Sequence, residues 1–259
     1  TVGLRYSYDE KQGKEVQMVV TDPLVYGVDY RTFPPALGFP ANCCGWLTTS
    51  PDVANRELDD DWDNVSGRVV LDYTPNDATL LYASLSQGYK SGGFRLGSLQ
   101  PTPSFDEEKV LSYELGYKGS FADVFQVNAA AYFYDYEDMQ VLVPQLTAQN
   151  LPVEEVVNAR KAEVKGLELE AIWLATDALT LIANYSYTDG EYTDFCCAID
   201  TIGAPALGEQ DLSGNSLTQA PENKLFLNAS YAWRTESNGE FVLSGSYSWV
   251  DDRQYDVFD

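Results

Sequence analysis

Hydrophobic and polar positions alternate with a period of two along most of this chain, the spacing of a β-strand that shows one face to an apolar surrounding. In one run, Leu111, Tyr113, Leu115, Tyr117, Gly119 and Phe121 alternate with Ser112, Glu114, Gly116, Lys118 and Ser120. In the next, Phe125, Val127, Ala129, Ala131 and Phe133 alternate with Gln126, Asn128, Ala130, Tyr132 and Tyr134. Leu225, Leu227, Ala229, Tyr231 and Trp233 repeat the pattern, as do Phe241, Leu243, Gly245, Tyr247 and Trp249. A helix does not use this period. It predicts about nine strands, near residues 2–11, 62–73, 78–90, 109–121, 124–141, 157–173, 178–192, 222–234 and 240–253.

The connections alternate in length. Short turns fall at Thr74-Pro75-Asn76-Asp77, Phe121-Ala122-Asp123-Val124, Ala175-Thr176-Asp177-Ala178 and Glu236-Ser237-Asn238-Gly239, with long polar loops near 12–61, 91–108, 142–156 and 193–221. This is the rhythm of an up-and-down barrel in an outer membrane, with short periplasmic turns and long extracellular loops. Bulky aromatics gather toward strand ends on the apolar face (Phe121, Phe125, Phe133, Trp173, Tyr185, Tyr187, Trp233, Trp249), with Ala129, Ala131, Ala183 and Ala229 between. Interfacial girdles produce that pattern. The other face carries Arg68, Asp72, Glu114, Lys118, Glu168 and Glu170 in mid-strand, as a wet or filled lumen requires. A soluble sandwich accounts for neither feature.

The expected fold is therefore all-β: a segment, about nine strands long, of an antiparallel up-and-down transmembrane barrel. Nine strands do not close by themselves. An open edge in hydrocarbon costs several kcal/mol per unpaired group, and closing an odd number would set the first strand parallel to the last. The opening residues, Thr1 to Tyr6, already read as mid-strand. Further strands are expected on both sides.

Composition narrows the function. The 259 residues contain 44% hydrophobic side chains and 18 Tyr, but no apolar run long enough for a spanning helix. The net charge is −24 and there is no His, so nucleic-acid binding, His-dependent triads and imidazole metal sites are excluded. The acidity reads as solvated surface; cation binding by Asp59-Asp60-Asp61 or Asp106-Glu107-Glu108 is the alternative. The four Cys stand as adjacent pairs, Cys43-Cys44 and Cys196-Cys197. That is no zinc spacing, and an even count suits an oxidising compartment. The expected bond runs between the pairs, tying loop 12–61 to loop 193–221. Neither a metal site nor a cofactor is expected. Glu114, Lys118, Glu168 and Glu170 lie on regular strands without a closed pocket, so no enzyme chemistry is expected of them.

With the 74–77 turn in the periplasm, the third, fifth, seventh and ninth strands run outward and the even positions face the lumen. At the mouth these include Gly88, Lys90, Tyr134, Tyr136, Asp138, Gln140, Asn158 and Arg160. Aromatic platforms among a few charges suit a large polar ligand, and equally suit bracing of loops. Phe94 and Arg95 follow a Gly pair and form either a ligand-contacting tip or a tight turn.

Taken as blocks, the sequence resembles a known family. Trp62-Asp63-Asn64-Val65-Ser66-Gly67-Arg68, running on through Leu71-Asp72-Tyr73-Thr74-Pro75, is similar to the C-terminal half of the barrel in TonB-dependent outer-membrane receptors. So are Gln87-Gly88-Tyr89-Lys90-Ser91-Gly92-Gly93-Phe94, Tyr113-Glu114-Leu115-Gly116-Tyr117-Lys118, Tyr136-Glu137-Asp138-Met139-Gln140, Gly166-Leu167-Glu168-Leu169-Glu170 and Asn184-Tyr185-Ser186-Tyr187-Thr188, in the same order and spacing. The resemblance implies a barrel of about 22 strands whose lumen holds a globular plug. It implies energy-coupled uptake of a scarce bulky nutrient, typically a ferric siderophore, through the TonB complex, in the outer membrane of a Gram-negative bacterium. Partners are then outer-membrane lipid, the receptor's own plug, TonB and the ligand. Against that layout, the plug, its TonB-engaging segment, the N-terminal strands and the last strands are absent from residues 1–259, which would not transport alone. Arg68, Asp72, Glu114, Lys118, Glu168 and Glu170 become plug-facing candidates. A passive porin-like channel and a surface adhesin barrel are the alternatives.

Overall fold

The computed structural model describes residues 1–16, 55–96, 98, 103–146, 152–199, 208–235 and 239–258. Nine strands form one sheet: β1 (Val2–Val16), β2 (Asn55–Asn76), β3 (Thr79–Lys90), β6 (Glu108–Phe121), β7 (Phe125–Leu146), β8 (Pro152–Leu174), β9 (Leu179–Asp194), β12 (Asn223–Thr235) and β13 (Gly239–Val250). They lie in chain order, each antiparallel to the next. The remaining strands form two small ribbons inside long connections, β4 (Gly93–Phe94) with β5 (Ser104–Phe105) and β10 (Cys196–Ile199) with β11 (Glu209–Asp211). Among the described residues there is no helix.

The nine strands expected from alternation are the nine of the sheet, but several run further than alternation reaches. β7 and β8 pair through Leu146 and Pro152, so most of the expected loop 142–156 is ladder. Val141-Leu142-Val143 is apolar at every position and meets Val157, Val156 and Glu155 in register; Val141 and Val143 are buried in the outer core while Leu142 between them stays exposed, so the strand alternates in burial though not in residue type. Asp59-Asp60-Asp61 lies in β2 and not in a loop. Asp60 stands opposite Lys11 and Asp61 opposite Glu10 on β1, and Lys14 bonds Glu57 at 2.9 Å just before the run.

Register carries one apolar face across the whole sheet. Val69 pairs with Leu85, Leu85 with Tyr113, and Tyr113 with Phe133; Leu169 pairs with Tyr185, Tyr185 with Leu225, and Leu225 with Trp249. Among the described residues nothing packs over this face. Leu4, Leu71, Leu115 and Leu243 remain 82%, 72%, 65% and 67% exposed. A side chain this apolar and this open needs an apolar solvent. Aromatics frame the face at both ends: Phe121 touches Phe125 and Trp233 stacks on Phe241 near the short turns, while Tyr113 meets Phe133 at the other end. From Phe125 to Phe133 is roughly 26 Å along the strand at about 3.3 Å per residue. Strand tilt lowers that to about 20 Å, the scale of a barrel's apolar band of about 25 Å.

The buried core lies beyond this band, at the end bearing the long connections. The ends of β7, β8 and β9 meet β10, β11 and residues 251–258 there, enclosing Val143, Ala159, Ala162, Tyr192, Phe195, Leu212 and Val257. Tyr192 and Phe195 pack ring on ring at 4.9 Å. The Gly214 and Leu217 amides extend the edge of β9 by donating to the Tyr192 and Gly190 carbonyls. Burial pushes the Tyr192 phenol up to about 12. Above the lipid the solvent is water, and apolar side chains must again be covered by protein.

On the inner face, two tyrosines lie across cross-strand glycines. Tyr82 stands opposite Gly116 and Tyr132 opposite Gly166; a Cβ at either glycine would overlap the ring. Removing the Cβ lets each ring lie flat along the wall.

Ala129 stands midway between the aromatic ends, paired with Tyr117 and Leu169. Ala129→Arg is expected to lower folding free energy in bilayers by about 2–4 kcal/mol, read from urea unfolding in vesicles. Just above the outer aromatics, Asp135, Glu163 and Glu191 stand opposite one another on β7, β8 and β9. Like charges so placed repel, and Glu163→Gln is expected to raise stability by roughly 0.2–1 kcal/mol, seen as a higher unfolding midpoint at low salt.

Candidate functional site on the inner wall and mouth

The inner wall is polar because register brings the even positions of β2, β3, β6, β7 and β8 onto one face. Asp72 stands opposite Tyr82, Ser84 opposite Glu114, Lys118 opposite Asn128, and Asn128 opposite Glu170. The Tyr82 hydroxyl donates to Glu114 Oε1 at 2.6 Å, and Lys118 Nζ lies 6.0 Å from the Tyr82 ring centroid. Asn128 Nδ2 donates to Glu170 Oε2 at 3.2 Å. Tyr82, Lys118, Asn128, Glu168 and Glu170 line a recess of about 160 Å³. Of the six wall candidates, Lys118, Glu168 and Glu170 meet at this recess and Glu114 joins through Tyr82. Arg68 lies further toward the mouth, opposite Ser86. Alternation indicated the charged groups but not Tyr82, whose ring links Glu114 to Lys118; the cross-strand Gly116 is the signal that finds it.

The mouth candidates are mostly engaged in holding the connections. Asn158 is a hub: Nδ2 donates to the carbonyls of Asp106 (3.0 Å) and Asp138 (2.7 Å), and Oδ1 accepts from the Asp106 amide (2.9 Å). Gln140 Nε2 donates to the Ser91 and Asp106 carbonyls, both at 3.0 Å. Lys90 approaches Glu108 at 3.8 Å, Arg95 approaches Glu154 at 3.6 Å, and Arg160 approaches Asp194 at 3.4 Å. Asp138 takes a left-handed backbone with φ 55°, and Tyr136 packs against the outer core. Phe94 meets Trp62 edge-on at 5.9 Å, while Lys11 donates to the Gly92 carbonyl at 2.5 Å and sits over the Trp62 ring. A Cβ at Gly92 would strike Trp62, so the Gly pair serves a close packing. Tyr134, stacked on Tyr132 at 4.7 Å, is the candidate that keeps an aromatic face on the lumen side.

Sequence reasoning missed the ties from β1 and β2. Trp62 is buried against the β4–β5 ribbon, Arg56 donates to the Ser98 carbonyl at 2.9 Å, and the Ser98 hydroxyl donates to buried Glu155 at 2.5 Å. These contacts join residues far apart in the chain, and no local pattern announces them. Cys196 and Cys197 open β10; the expected bond between the loops involves Cys43 and Cys44, which lie outside the described residues. Among the described residues no group of acidic or Cys side chains is arranged to hold a metal ion.

This architecture has clear relatives. A family model for the TonB dependent receptor-like β-barrel matches residues 1–259, and the chain belongs to that family, whose members lie in the outer membrane of Gram-negative bacteria. The pesticin receptor of Yersinia enterocolitica is 31% identical over 137 residues, covering 51% of this chain and 19% of that protein. The pesticin receptor of Yersinia pestis matches equally. Among solved structures, the ferric yersiniabactin uptake receptor FyuA of Yersinia pestis superposes with a TM-score of 0.60 at 22% identity, over 78% of this chain and 28% of that one. The siderophore receptor PiuA of Acinetobacter baumannii gives 0.53 at 18%, over 78% and 31%. The chain thus spans less than a third of the length of these relatives.

Asn158→Ala removes both donated bonds and strands the Asp106 amide. The expected result is faster amide exchange through residues 103–106 and a local loss of about 1–3 kcal/mol, measured by hydrogen–deuterium exchange, with the membrane-embedded strands unchanged.

Proposed function

We propose that this chain forms part of the wall of an energy-coupled receptor for a ferric siderophore. Further strands meet the edges of β1 and β13, a plug fills the lumen, and the TonB complex drives release inward. The observation that carries this reading is the inner wall. Glu114 and Glu170 are held in place by Tyr82 and Asn128, and fixed carboxylates of this kind are prepared acceptors for cationic side chains of a plug. The names of the relatives, a pesticin receptor and a ferric yersiniabactin uptake receptor, support a ferric siderophore as ligand.

At the mouth, Tyr134 on its Tyr132 support offers stacking area to such a ligand, while Lys90, Phe94, Arg95, Asn158 and Arg160 act through the loops they brace. The chain by itself is not transport-competent on this reading.

The test uses the full-length receptor in an iron-starved strain lacking other siderophore receptors, with radiolabelled ferric yersiniabactin as the first probe. Uptake is expected to stop when a protonophore collapses the proton gradient. Tyr134→Ala is expected to weaken binding by about 1 kcal/mol, roughly fivefold. Uptake that ignored the protonophore would refute the energy-coupled reading and favour a passive channel.

A further inference from the structure

The lipid-facing side is not uniformly studded with large side chains. Across β8, β9, β12 and β13 the outward residues shrink to Ala171, Ala183, Ala229 and Gly245, which line an open trough of about 680 Å³. Ala171 stands directly opposite Ala183, and Ala229 directly opposite Gly245. These two small pairs are offset by one rung, so the floor runs obliquely over four strands, about 14 Å at the usual strand spacing. Trp173 with Leu181, and Leu227 with Tyr247, also line it and stand up as walls along its two sides. A Cβ built on Gly245 meets nothing within 4 Å, so the trough is empty of protein at that end.

We propose that this trough is a seat for one acyl chain of a phospholipid in the leaflet nearer the short turns. It is continuous with the apolar band, and Trp233 and Phe241, in the strands that form its floor, mark the boundary of that leaflet. Hydrocarbon is therefore the medium that reaches it. Its dimensions and lining match a small-molecule site, which is concave and apolar and measures about 300–1,000 Å³. The shape also decides among occupants. A helix about 10–12 Å across would rest on the Trp173 and Tyr247 walls and leave the floor void. A single polymethylene chain reaches the alanines. The seat holds lipid whatever ligand the mouth receives.

The test takes full-length receptor reconstituted in vesicles of palmitoyl-oleoyl phosphatidylethanolamine, re-extracted in a mild maltoside, with retained phospholipid counted by native mass spectrometry. Wild type is expected to keep phospholipid. Gly245→Leu, which meets open space, is expected to lower retention about tenfold, equivalent to about 1.4 kcal/mol, with the heat-modifiable band of the folded barrel preserved. Ala183→Leu, on the other small pair, should do the same independently if the first variant folds poorly. Ala131→Leu, on the lipid face outside the trough, should retain lipid as wild type does. Equal retention in trough and control variants, or wild type that keeps no lipid, would overturn the proposal. So would a wild-type dimer broken by Gly245→Leu, since it would place a second copy there.

Discussion

Hydrocarbon offers no partner to a peptide N–H or C=O, and this single constraint governs the sheet. Each strand crossing the apolar band must bond laterally to its neighbours along its full length, which requires antiparallel strands in chain order joined by short turns at one end. Once the ladder is in place, side chains have no freedom of face. An odd position on β6 pairs with an odd position on β7 and then on β8, so a slip of one residue on any strand would turn its leucines to the lumen and its carboxylates to lipid.

The molecule consequently has two solvents and two packing rules. Within the band, large side chains point out and remain uncovered by protein. The inner face, deprived of an apolar core, is built from hydroxyls, carboxylates and rings laid over glycine. Past the outer aromatics the rule reverts to that of a water-soluble protein: Tyr192, Phe195 and Leu212 are enclosed, and polar side chains such as Asn158 and Gln140 tie the connections down. Function follows this division. The membrane part supplies the wall, and the enclosed outer part holds the described residues of the connections that pack on it.

Much of this could be read from the residues because a strand between lipid and lumen writes its environment into every second position. Leu111 to Phe121 is an example, and its observed strand ends at the expected Phe121. Legibility fails where that environment ends. Val141-Leu142-Val143 alternates in burial, with Leu142 exposed between two buried valines, but all three are apolar and hide that alternation; Asp59-Asp60-Asp61 looks like a loop until β1 is placed along it as a ladder. The bracing of the mouth residues depends on Asp106, Asp194 and Glu154, none of which is near its partner in sequence.

The sequence by itself determined the class of fold, the face of each strand that meets lipid and the charged character of the inner wall, because these depend on period and composition, which are local. Tertiary structure decided how far the strands extend, which polar groups are engaged with one another, and where small residues on four separate strands fall side by side. Those outcomes depend on register among strands from β1 at Val2 to β13 at Gly239, and register is set by the whole ladder at once.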